Sequence, residues 1–137
     1  MDIVEFLNAR LDEGEAAAQA VIDAGGRSGW EAVPIAELDG RRALTGGSSI
    51  FAVMDPVPEG RACAEHAARH DPARVLREVA AKRKMLELHA NGCPGINYCV
   101  SCWNGNESLD WPCPTVRTLA SAHADHPDYA PEWAPRT

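Results

Sequence analysis

At 137 residues, with 45% hydrophobic and 6% aromatic side chains, the chain has the length of one domain and is too apolar for wholesale disorder. Its formal charge of −7, from 13 basic and 20 acidic residues, argues against a generally basic nucleic-acid coat, since phosphate binding needs neutralising cations. No apolar run reaches the ~18 residues of a membrane span, and Met1-Asp2-Ile3-Val4-Glu5 lacks the basic start and apolar core of an export signal. A cytoplasmic location without membrane contact is therefore expected.

Charge is unevenly spread: residues 1–60 hold 4 basic and 11 acidic side chains, residues 61–90 hold 7 and 4, and residues 91–137 hold 2 and 5. The middle of an acidic chain is thus locally basic. Asp2 followed by Glu5 predicts a helix-opening capping box, and Ile3, Leu7, Leu11, Ala18 and Val21/Ile22 recur near helical spacing. Gly25-Gly26 closes this first helix, predicted over 1–25. Residues 30–55 read as an antiparallel meander. Val33 and Ile35 alternate, Asp39-Gly40 is a hairpin turn, Arg42–Thr45 returns, Gly46-Gly47 turns again, and Ile50–Met54 is a third, apolar strand. Asp55-Pro56 and Pro58 then break the pattern.

Residues 61–91 predict a helical pair with a corner. Arg61 to His70 forms the first helix. Asp71 caps the second and Pro72 takes its first position, where a missing N–H costs nothing. Val75, Leu76, Val79 and Leu86 supply the buried stripe, and Asn91-Gly92 closes the helix. Arg74, Arg77, Lys82, Arg83 and Lys84 crowd the remaining surface, a candidate partner-binding face. The fold class that follows is α+β: a small meander covered by three or four helices, in a single domain, with a loop, a C-terminal helix and a tail over 92–137.

Four of the five cysteines fall within 21 residues, as Cys93-x5-Cys99-x2-Cys102-x10-Cys113, with His89 four residues upstream. Cys-x2-Cys turns two thiolates toward one ion, and a further Cys and His can complete a tetrahedron. The metal ligands are therefore Cys99, Cys102, Cys113 and either His89 or Cys93. Cys113 precedes Pro114–Leu119, a predicted helix start, where a thiolate gains from the positive end of the helix dipole. One structural zinc suits mixed sulfur and nitrogen ligands, with an iron–sulfur cluster as the alternative. Cys63, His66 and His70 outline a secondary candidate, although Cys63 reads better as a small core residue and the histidines as the border of the helical corner. Trp103 and Trp111 lie in the metal loop, where they cover a small core or grip a partner. Tyr129 and Trp133, four apart, form one anchor of a docking tail.

Three stretches carry a family resemblance: Asp2–Leu7 with Leu11-Asp12-Glu13, the run from Glu65 to Val79 continuing to Lys82-Arg83, and Trp111–Ala120 followed by Asp125–Tyr129. The chain resembles the domain of unknown function family 6221, of actinobacteria and their phages. Members with a similar loop carry the equivalents of Leu88-His89, Cys99-x2-Cys102 and Pro112-Cys113, so the resemblance implies His89 as fourth ligand. This chain departs by also having Cys93, and by Ala122-His123 where the family usually has an aromatic. The resemblance implies no activity.

The reading that follows is a small zinc-stabilised, non-enzymatic adaptor or regulatory protein with a protein partner. One alternative is a nucleic-acid-binding zinc module using the basic helix 74–84. Another is a zinc hydrolase with an open ligand position, against which stands the lack of a deaminase His-x-Glu and Pro-Cys-x2-Cys pattern. The oligomeric state is left open by the sequence.

Overall fold

The computed structural model describes residues 1–36, 39–90, 98–103 and 111–136. In chain order these form α1 (Ile3–Asp23), β1 (Glu31–Pro34), β2 (Arg42–Gly46), β3 (Ser49–Met54), α2 (Pro58–Arg69), α3 (Pro72–Ala90), a 3-10 turn at Val100–Cys102, α4 (Pro114–Ser121) and a second 3-10 turn at Pro131–Trp133. The fold is α+β. The chain divides into two compact units, one of residues 1–13 with 79–137 and one of residues 14–78.

The second unit holds the sheet, an antiparallel meander in the order β1-β2-β3. Asp39 and Gly40 both take positive φ, 44° and 81°, in the connection between β1 and β2, where the Ile35 N–H donates to the Arg41 carbonyl. Glu31 pairs with Thr45 and Arg42 with Met54, and the β2–β3 register shifts between Leu44 and Thr45. A three-stranded sheet this small needs a cover. α2 provides it, with Ala64 fully buried. Whereas the sequence pattern starts this helix at Arg61, it begins at Pro58, because proline at a first helical position loses no hydrogen bond. Ile50, Phe51 and Val53 of β3 are exposed, so the third strand is an apolar edge and not a buried element.

The helix ends obey local chemistry. Asp2 Oδ1 accepts from the N–H groups of Val4 and Glu5, and Glu5 Oε2 accepts from the Asp2 N–H, which completes the capping box. At the other end of α1 the Gly26 N–H reaches the Val21 carbonyl and the Gly25 N–H that of Ile22, a Schellman closure with Gly25 at φ 84°. Asp71 caps α3 through the Arg74 N–H at 2.7 Å, and its second oxygen accepts from the Trp30 N–H. The closure expected at Asn91-Gly92 lies outside the described residues.

The first unit holds the core that surrounds the cysteines. Ile3, Phe6, Leu7, Leu86, Val116, Ala120 and Trp133 are buried together with Cys99 and Cys113. Phe6 is the hub: its ring meets Trp133 at 5.0 Å, His126 at 5.7 Å, Tyr129 at 6.1 Å and His123 at 6.3 Å. Tyr129 and Trp133 thus anchor the tail, edge to face at 5.8 Å. His123 fills one place around the ring with its imidazole.

Candidate metal centre

Three pieces of the first unit deliver four ligand atoms. The last turn of α3 presents His89, the knuckle before and within Val100–Cys102 presents Cys99 and Cys102, and the residue that opens α4 presents Cys113. Backbone bonds fix the knuckle: the Cys102 N–H donates to the Cys99 carbonyl at 3.2 Å and the Trp103 N–H to that of Val100 at 3.3 Å. Ser101 Oγ donates to the Leu88 carbonyl, which ties the knuckle to the helix bearing His89. Cys113 occupies the N-cap of α4 in extended backbone (φ −71°, ψ 164°), with its thiol at the positive end of the helix.

His89 Nδ1 lies 3.3 Å from Cys99 Sγ, 3.3 Å from Cys102 Sγ and 3.6 Å from Cys113 Sγ. All four ligand atoms fall within 4.8 Å of one another, so the cluster could hold one metal ion. Cys99 and Cys113 are fully buried, while His89 and Cys102 are partly so. Burial pushes the Cys102 thiol up to about 12, helped by its hydrogen bonds with Cys99 and Cys113 and by their charge. Three thiols this close cannot ionise together without a cation among them.

A second layer holds the Cys113 end. Arg117 is 6% exposed, yet its guanidinium reaches no carboxylate among the described residues. Its Nε donates to the Pro112 carbonyl at 2.8 Å, and its Nη1 donates to the carbonyls of Glu132 and Ala134. The arginine thereby joins the residue before Cys113 to the turn that carries Trp133. Sequence reasoning missed Arg117 and Phe6. Arg117 lies on the same helical face as Val116 and Ala120, where a lone charged residue in a short apolar stripe is the available signal.

The other candidates are placed as follows. Cys93 lies outside the described residues, and His89 is the fourth member of the described cluster. Cys63 is exposed on α2, contrary to its expected place in the core, because Ala64 points inward there instead. The rings of His66 and His70 meet at 4.5 Å on the surface, tilted by 42°, and among the described residues no third Cys, Asp, Glu or His joins them in a group that could hold an ion. Glu65 accepts from Arg61 at 2.9 Å and faces Arg42 at 3.9 Å. That hydrogen bond holds its carboxyl below the usual carboxylate range, so it is a poor proton donor near neutral pH.

Of the five basic residues on α3, Arg74 pairs with Glu78 at 2.6 Å, Arg83 with Asp12 at 2.6 Å, and Lys84 with Glu87 at 3.1 Å. Trp111 packs against the core, whereas Trp103 is 55% exposed beside Tyr98, at 6.4 Å between rings. Leu88 and Val100 are exposed as well.

Fold and site together define a small α+β protein with a compact cluster of one histidine and three cysteines. The chain belongs to DUF6221, a family of unknown function, whose model matches residues 1–135. No curated protein and no solved structure gives a match. No helix among the described residues is long and apolar enough to cross a membrane.

Proposed function

We propose that the protein is a non-enzymatic adaptor or regulatory module, stabilised by one structural zinc ion on His89, Cys99, Cys102 and Cys113. The observation that carries this reading is the set of distances from His89 Nδ1 to the three sulfurs, 3.3, 3.3 and 3.6 Å. Zn–S bonds of about 2.3 Å and a Zn–N bond of about 2.0 Å in a tetrahedron separate nitrogen from sulfur by about 3.5 Å. A multi-iron cluster would spread its ligands farther, since different ligands bond different irons. Four protein ligands leave no position for water or substrate, which supports a structural site over a hydrolytic one. Binding energy for the ion then becomes folding energy for a unit whose core includes two of the ligands.

The exposed Trp103, Val100 and Leu88 beside the cluster support a protein partner, since apolar side chains held by a rigid knuckle suit a hydrophobic contact. The ion pairs that engage Arg74, Arg83 and Lys84 weigh against phosphate binding, because those carboxylates would first have to be displaced. Elemental mass spectrometry of the purified protein, with a melt in chelator alongside, tests the zinc reading. One zinc per chain and a collapse of the melting temperature on chelation are expected. Iron, or a metal-free protein that melts cooperatively and unchanged in chelator, would overturn it.

A further inference from the structure

Away from the metal cluster, the first unit contains a cavity of about 100 Å³. Its apolar wall is made by Leu7, Leu11, Leu86 and Leu119, and Lys82 and His123 stand among its lining residues. The three innermost leucines are each 5% exposed or less, so the depression reaches the core. An apolar wall with a few polar groups is the usual make-up of a small-ligand site.

The charge at this site is distinctive. The neighbouring cations on α3 are engaged, Arg83 with Asp12 and Lys84 with Glu87. Lys82 makes no hydrogen bond or ion pair with any described residue, although it is partly buried over apolar wall. Arg10, its side chain 8% exposed, is likewise engaged: it pairs with Glu13 at 2.6 Å, lies over the Phe6 ring and bonds to His126. Burial holds the His123 imidazole below its ordinary titration range, with Lys82, Arg10 and His126 adding to the effect and Asp125 opposing it. An anion seated here would gain from Lys82 without displacing a carboxylate.

We propose that this cavity binds a small aliphatic carboxylate, with a branched tail of four or five carbons against Leu7, Leu11 and Leu86 and the carboxylate on the Lys82 ammonium. Size sets the tail: a closed apolar cavity of about 150 Å³ holds benzene, so this one of about 100 Å³ takes a short, flexible alkyl group. Long-chain acids exceed the room available. Charge sets the head, through the local Lys82 ammonium and not the protein's net charge of −7. A single carboxylate needs a single cation, and Lys82 is that cation.

The test uses the full-length, metal-loaded protein with ¹³C-labelled leucine methyl groups, titrated with isocaproate, with uncharged isocaproamide, and with octanoate. Isocaproate is expected to shift the methyls of Leu7, Leu11 and Leu86 saturably, and the amide to bind about tenfold more weakly, the worth of one charge-assisted contact. Octanoate should bind no more tightly than isocaproate. In Lys82→Gln the acid should lose its advantage over the amide while the melting temperature is unchanged. No saturable shift at these leucines, or equal affinities for acid and amide in the unaltered protein, would overturn the proposal. So would a Lys82→Gln protein that keeps the preference for the acid. Since the acid–amide comparison needs no variant, the proposal stays testable even if the substitution perturbs folding.

Discussion

Cys63 and Cys102 carry the same thiol in opposite surroundings. The first is exposed on α2, and the second sits 3.3 Å from His89 Nδ1 with two further sulfurs beside it. Cys102→Ser should therefore lower the melting temperature by more than about 10 °C through lost metal binding, and Cys63→Ser by less than about 1 °C. Equal melts for the two variants would refute the structural-metal reading. Arg117→Met removes the donor that holds the carbonyls of Pro112 and Glu132 and should cost about 1–3 kcal/mol in a urea melt. It should also speed zinc loss to a chelator, because the Pro112 carbonyl precedes Cys113. His123 supplies a pH dependence. Its pKa is lowered in the folded protein from an ordinary 6.5, by burial first and then by the charges of Lys82, Arg10 and His126, against Asp125. The unfolded chain thus binds the proton more readily, so stability rises with pH through the window below about 6.5 and is lost as pH falls. His123→Phe keeps a ring beside Phe6 and should narrow the stability gap between neutral and mildly acidic buffer. A gap of unchanged size would refute this account. At this scale the sequence disclosed what spacing encodes. Cys99-x2-Cys102, Cys113 before Pro114 and His89 upstream are local facts, and the ligand atoms do converge. Cys63 was misjudged because a cysteine looks equally suited to a core and to a surface, and the face of α2 that turns inward carries Ala64.

At the scale of elements, the legible features are those that neighbours in sequence determine. The capping box at Asp2, the double-glycine stop, the Asp39-Gly40 turn and the Asp71-Pro72 start all follow from which backbone groups a short side chain can satisfy. Pro58 shows the limit of that logic, since a proline after a loop can end one element or begin the next. Only the cover required by the sheet decides that it begins α2. The third strand shows another limit: its apolar run gives no sign of which face is covered, and Ile50, Phe51 and Val53 remain exposed at the edge. Asp71 makes a sharper case, because its carboxylate receives both the Arg74 and the Trp30 N–H. Asp71→Ala should destabilise the fold by about 1–2 kcal/mol in a urea melt, against a few tenths for an exposed alanine substitution elsewhere on α3.

On the scale of the whole molecule, Cys99 and Cys113 share one core with Phe6, Val116 and Trp133. Chelation should therefore release amide protection in residues 79–90 and 111–121 together, as seen by hydrogen exchange, and not at the knuckle alone. The sequence could not disclose that core, because its hub joins residue 6 to residue 133 and no local pattern records such a pairing. The Phe6–Trp133 contact also sets an order in time. A ribosome makes Phe6 before Trp133 and, at about 5–20 residues per second, delivers the indole on the order of ten seconds later. Throughout that interval the phenyl ring has no Trp133 to close over it. Any product that stops short of Trp133 leaves one face of this apolar hub without its indole, and so carries in its own core the mark by which a cell's quality control can tell it from a chain that includes Trp133.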